Sequence, residues 1–443
     1  MMNWEQLISS KRFGMEEYSP DKKHDRTEFQ RDYDRLIFSS PFRRMQNKTQ
    51  VFPLPGSVFV HNRLTHSLEV SSVGRSIGDI VGYELREKYP EVLASFEEIG
   101  AIVAAACLAH DMGNPPFGHS GEKAMSTFFS EGEGRVLQSK VESEGGRWSD
   151  FTYFEGNANV VRLLMHQFRG KRKGGFAMTY STLASVVKYP YSSVLSGGKN
   201  KFGFFASEES AYNTIAADLG LIKLNKEPLK FVRYPLVYLV EAADDICYQI
   251  MDIEDAHKLN LISTEKTIEF LLGFFEGDRR ERRITNMSLV SDVNEQIAYL
   301  RASVIGLLIR ECANVFLENE EYILSGSFVG SLIDNMDEKI KTQYDLCSEF
   351  AFQHIYKSKD VVDIELAGYR IIGYLLDVFT KAALNPDHAY SKLLLQRIPV
   401  QYLSDSDDLY SRLQVIVDYI SGMTDVYALD LYRKITGMGL PTV

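Results

Sequence analysis

The chain has 443 residues, 45% hydrophobic and 25% charged, with a formal net charge of −11. This is the balance of a globular protein long enough to bury a sizeable core. It argues against a surface built mainly for nucleic acid, whose binding rests on neutralising phosphates with Lys and Arg. Cys107, Cys247, Cys312 and Cys347 show no CxxC spacing, so neither a zinc knuckle nor a disulfide framework is indicated. No apolar run reaches the roughly 18 residues of a membrane span and no signal peptide is evident, so no membrane is expected and a cytoplasmic setting is.

The first segment is basic. Arg26, Arg31, Arg35, Arg43, Arg44 and Lys48 precede Gln50, an enrichment suited to a polyanionic ligand in an acidic chain. Pro53-Leu54-Pro55-Gly56 then interrupts the chain before a helix expected over 63–87 from apolar spacings of three and four. His66 follows Arg63 by one turn, so the two share a face. The next expected helix, 97–111, is largely apolar and closes on His110-Asp111, where Gly113-Asn114-Pro115-Pro116 stops it. A His-Asp dipeptide alone is weak evidence, since His24-Asp25 repeats it in a charged, non-periodic stretch. His110-Asp111 differs because an unpaired acid ending a buried helix is costly. The pair offers one nitrogen and one oxygen to a single point, which suits a divalent metal that polarises phosphate.

Beyond the Pro-Pro turn, His119 and Glu122 stand three apart, so the carboxylate could orient the imidazole or raise its pKa for acid–base work. Polar, Gly-rich stretches at 131–150, 170–175 and 192–203 read as loops or short hairpins, with a helix expected at 157–168. Lys188 is a further candidate for meeting an anion. In a helix expected at 234–257, Asp244, Tyr248 and Asp252 fall at i, i+4 and i+8, one stripe behind a strongly apolar lead-in. Asp244 thereby joins His66, His110 and Asp111 in a metal site spread over three helices, with Tyr248 and Asp252 lining the cavity beside it. The basic runs 169–173 and 279–283 read as solvated, and no Walker or Rossmann loop occurs. Helices at 264–275, 293–317 and 367–384 complete an all-α chain, with a helical core over 1–260 and a helical C-terminal region, 261–443, packed on it.

Asp34-Arg35-Leu36-Ile37-Phe38-Ser39-Ser40, Lys48-Thr49-Gln50-Val51-Phe52-Pro53, Arg63-Leu64-Thr65-His66-Ser67, the His110 to His119 segment, Phe154-Glu155-Gly156-Asn157-Ala158 and Glu241-Ala242-Ala243-Asp244-Asp245 follow one another between Arg26 and about His257. In that order they resemble the bacterial deoxyguanosine triphosphate triphosphohydrolases, HD-domain proteins. The resemblance implies an HD-type helical core with His66, His110, Asp111 and Asp244 holding one divalent ion (manganese, magnesium, iron or cobalt), while further magnesium travels with the triphosphate. It implies His119 and Glu122 as the catalytic pair, Gln50 at the sugar 3′-hydroxyl, Arg63 at the α-phosphate, and Tyr248 with Asp252 bordering sugar and phosphates. Asp245 stands where some relatives carry a phosphate-holding lysine, so that charge falls to Lys188 or the basic segment. The implied reaction converts dGTP to deoxyguanosine and tripolyphosphate. The alternatives are a broad dNTP triphosphohydrolase, another HD nucleotide phosphohydrolase such as a 5′-nucleotidase, or a non-catalytic nucleotide or DNA sensor. A homo-oligomer (tetramer or hexamer) is also implied, with single-stranded DNA or a nucleotide as an effector in some relatives.

Overall fold

A computed structural model describes residues 1–17, 26–51, 61–198, 200–357 and 359–439, so His24-Asp25 and the Pro53-Leu54-Pro55-Gly56 break lie outside the described residues. The chain is all-α. Apart from isolated bridges, the β structure among the described residues is one antiparallel ribbon of β1 (Lys223–Asn225) and β2 (Lys230–Phe231).

The basic segment opens with α1 (Glu28–Ile37), started by a reciprocal cap between Thr27 and Gln30. α2 (Arg63–Lys88) is capped in the same way by Asn62 and Thr65, which fixes where Arg63 and His66 begin the helix. α3 (Ile99–Ala109) is buried on nearly every side, as its unbroken apolar composition requires. Gly74 and Gly78 of α2 face it so closely that an added Cβ would stand 2.5 Å from Cys107 Sγ or 2.8 Å from Gly100 Cα. Then follow α4 (Gly118–Ser130), α5 (Gly156–Met165), α6 (Tyr180–Val186) and α7 (Val237–Lys258), the last packed on α2. The C-terminal part contributes α8 (Val293–Glu318), α9 (Glu338–Phe350), α10 (Lys359–Leu384), α11 (Leu409–Ser421) and α12 (Asp425–Ile435).

The expected helices all form, with their ends displaced by a few residues; the last starts earlier, at Lys359. The stretch 131–150, expected as loop, instead carries helical turns at Gln138–Ser143 and Ser149–Thr152, pinned by buried Val141, Trp148 and Phe151. The run 279–283 is solvated as expected but lies in a helix, Gly277–Ser288, with no buried residue.

Two apolar clusters hold the helices together. One gathers α2, α3, α7 and α8; the other packs Phe128, Phe129, Trp148 and Phe151 against Ile372, Leu375 and Phe379 of α10 and Val417 of α11. Each draws on residues from both sides of position 260.

A buried ion pair fastens α5 to α11. Arg162 donates to both Asp418 oxygens at 2.7 Å and to Glu208 at 2.9 Å, with all three side chains at most 6% exposed. Arg162→Met strands two buried carboxylates, and urea unfolding is expected to register a loss of about 3–5 kcal/mol. An unchanged midpoint would show that this network carries no stability.

Candidate metal centre and catalytic cavity

The first turn of α2, the end of α3 and the middle of α7 converge. His66 Nε2 lies 3.0 Å from Asp244 Oδ1, and His110 Nε2 lies 3.4 Å from the same oxygen. Their ligand atoms all fall within 4.8 Å of one another. His110 Nδ1 donates to the Cys107 carbonyl at 2.6 Å, which leaves Nε2 as the coordinating atom, and that buried nitrogen has no hydrogen-bond partner. Burial works against a charge on His110, but Asp111 and Asp244 outweigh it and raise its pKa to about 9. Two imidazoles and a carboxylate that favour a cation at one point are a fitting donor set for a divalent ion. Asp111 sits at the edge of this cluster, 3.7 Å from His110 Nε2, with one oxygen bonded to Arg63 at 2.7 Å and the other to the Asn114 amide.

His119 Nδ1 and Glu122 Oε2 pair at 2.8 Å across the first turn of α4. The other Glu122 oxygen accepts the Gly156 amide at 2.7 Å. Gly156 can come this near because it lacks a Cβ, which would stand 2.7 Å from Glu122 Oε1 and 2.0 Å from Asn114 Oδ1. Glu122 is nearly buried while the His119 side chain is 70% exposed, so an anchored acid presents a reachable base. The Glu122 hydrogen bond and charge hold the His119 pKa above the usual imidazole range.

His110, Asp111, Asp244, Arg63, His119 and Glu122 line one cavity of about 300 Å³. Lys188 and Lys201 also line it. Lys188 pairs with Glu241 at 3.2 Å and Lys201 with Glu155 at 2.6 Å, and the Tyr189 ring lies between the two ammonium groups. Burial opposes both charges, but Glu241 and Glu155 more than compensate, so both lysines stay protonated. Sequence reasoning found Lys188 but missed Lys201, Tyr189 and Asn157, which reach the cavity from loops and a helix start with no periodic signal.

Gln50, Tyr248, His119 and Glu122 also line an adjoining cavity of about 520 Å³, walled by Phe117, Phe154, Val361 and Glu365. Gln50 Oε1 is a buried acceptor without a partner among the described residues. Tyr356, arriving from the C-terminal part after a π-helical turn (Ala351–Ile355), stacks on Tyr248 at 5.6 Å. Its hydroxyl donates to Asp252 at 2.6 Å. Asp252 was expected to line the cavity; it is instead buried behind the two tyrosines, and burial pushes its pKa up to about 7 despite that bond. His61 is bonded to Asp255 and Glu69.

Residues 63–187 match the HD domain family, and 335–434 match the phosphohydrolase-associated domain. The chain is 36% identical to a deoxyguanosinetriphosphate triphosphohydrolase-like protein of Synechocystis sp., over 99% of this chain and 100% of the relative. It is 37% identical to a similarly named protein of Pseudomonas aeruginosa over 100% of both chains. A deoxyguanosinetriphosphate triphosphohydrolase of Yersinia enterocolitica is 30% identical, over 98% of this chain and 99% of its own.

Asp244→Ala removes the oxygen shared by both histidines and is expected to abolish manganese binding in calorimetry while the helical circular dichroism persists. His119→Ala is expected to bind the ion as the parent does. Undiminished manganese affinity in Asp244→Ala would rule out this cluster as the metal centre.

Proposed function

We propose a function from one premise: the chain belongs to the deoxyguanosinetriphosphate triphosphohydrolase family of HD-domain proteins. It is a metal-dependent phosphohydrolase, and the reaction we assign is dGTP + H₂O → deoxyguanosine + tripolyphosphate. One observation carries this reading. The metal cluster's His110 and Asp244, the His119–Glu122 pair and the cations Arg63, Lys188 and Lys201 all face a single cavity.

A divalent ion held by His66, His110 and Asp244, with Asp111 beside them, would supply Lewis-acid polarisation of the α-phosphoryl group and lower the pKa of water. The protein's own groups do the rest. Lys188 and Lys201 meet the β- and γ-phosphate charge, and Arg63, whose Nε has no partner among the described residues, turns its guanidinium towards the α-phosphate. Gln50 Oε1 accepts a sugar hydroxyl, and stacked Tyr248 and Tyr356 shape the space around the ring. Water oxygen bonds to the α-phosphorus as the bond to the 5′-oxygen breaks, and His119, kept protonated by Glu122, delivers the proton to that departing oxygen.

We assign base preference to Glu365, a solvent-exposed carboxylate of α10 that reaches the adjoining cavity. The other carboxylates of the adjoining cavity are bonded, Glu122 to His119 and Glu155 to Lys201, whereas Glu365 has no hydrogen bond or ion pair among the described residues. A free carboxylate selects a base with adjacent donors, and guanine presents them at N1 and its 2-amino group.

Incubation with each of the four dNTPs and manganese, followed by anion exchange, is expected to yield tripolyphosphate chiefly from dGTP. In Glu365→Gln the preference for dGTP over dATP is expected to fall about tenfold or more, the value of a charge-assisted hydrogen bond. Equal turnover of all four by the parent would make the protein a broad dNTP triphosphohydrolase, and absence of tripolyphosphate would sink the enzyme reading. The pH profile tests His119 separately. A general acid works below its pKa, so kcat should fall as pH rises through the raised His119 value, and Glu122→Gln should move that falling limb to lower pH. A limb that stays in place would assign the acid to another group.

A further inference from the structure

One carboxylate from the C-terminal part ties together the two segments that present Gln50 and His119. Asp425, the first residue of α12, is buried. Through Oδ2 it accepts the Thr49 amide at 2.8 Å and the Thr49 hydroxyl at 2.6 Å, and through Oδ1 the Phe117 amide at 2.9 Å. Beside it the buried Lys48 Nζ donates to the Asn114 carbonyl at 2.5 Å and the Ser421 carbonyl at 3.0 Å, a second cross-link between the same parts. Thr49 immediately precedes Gln50. Phe117 stands two residues before His119 in a left-handed turn, with φ +62° there and +55° at Gly118. A bulky residue holds such a conformation only when its surroundings fix it, and the amide captured by Asp425 does so.

We propose that Asp425 is a positioning residue for the hydrolysis, fixing Gln50 and His119 relative to each other across the substrate. The phosphohydrolase-associated segment, which contains it, then takes part in turnover through this carboxylate as well as through packing. The inference rests on the roles proposed above for Gln50 and His119. Its chemistry is specific: three donors from two segments converge on two acceptor oxygens. An amide in its place would turn an NH₂ towards one of those segments and leave it unpaired. The metal cluster stands on α2, α3 and α7 and shares none of these bonds.

The test is steady-state kinetics of full-length Asp425→Asn with dGTP, in the parent and in a His119→Ala background, alongside manganese affinity and thermal melting. In the parent, kcat is expected to fall about 10²-fold, the cost of misplacing a reacting group by about 1 Å, with manganese affinity unchanged. In the His119→Ala background the same substitution should change kcat by less than about threefold, because the group it positions is gone. With 2′,3′-dideoxyguanosine triphosphate, which lacks the hydroxyl met by Gln50, the KM penalty of Asp425→Asn should shrink. Thr49→Val, which removes one donor and leaves the backbone intact, should show a milder form of the same pattern and serves if Asp425→Asn does not fold. Equal, multiplicative losses in both backgrounds, a loss of manganese affinity, or parental activity in Asp425→Asn would each overturn the proposal. A parent that releases no tripolyphosphate would overturn the functional reading itself, and this inference with it.

Discussion

The close approach of α2 to α3, permitted by the bare faces of Gly74 and Gly78, is what brings the His66 and His110 rings to a centroid separation of 5.6 Å. α3 can be buried this deeply because its side chains carry no charged group until the chain reaches His110 and Asp111. Within α3 the cost of burying polar atoms thus falls at its C-terminal end, and the cavity opens there. α7, packed on α2, adds Asp244 to the same point. A side chain at Gly78 would meet the α3 backbone, and relieving it would separate the two histidines.

The cavity holds charged groups of both signs. Asp111 and Asp244 stand with the histidines, and Lys188 and Lys201 each have a glutamate partner that keeps them protonated. Arg63 lines the same cavity. Its bond to Asp111 ties the first turn of α2 to the chain just beyond α3, beside the metal cluster. No described helix is long and apolar enough to cross a membrane.

Much of the site was legible because its residues sit at positions that periodicity defines. His66 falls one turn into a capped helix, His110 and Asp111 end an apolar one, and Asp244 leads a stripe on a third. The stripe misled in one respect. Spacing places Asp252 on the Asp244 side of α7 but says nothing of depth, and Tyr356 from about a hundred residues away covers it. Lys201, Glu365 and Asp425 were invisible for the same reason, since each reaches the cavity or its supports only through tertiary packing. α4 was missed because Gly118, His119, Gly121 and Glu122 turn its first turns towards the site, where chemistry rather than apolar spacing sets the residues. The all-α class was legible throughout. The sharing of both apolar clusters across residue 260 was not, because local spacing carries no record of which helices meet.

Attack of water on the α-phosphorus is the step on which the catalytic reading stands, and isotope labelling tests it most directly. Hydrolysis of dGTP in ¹⁸O-water, with both products analysed by mass spectrometry, should place one label in tripolyphosphate and none in deoxyguanosine. Label in the nucleoside, or in orthophosphate released from the γ-position, would contradict it.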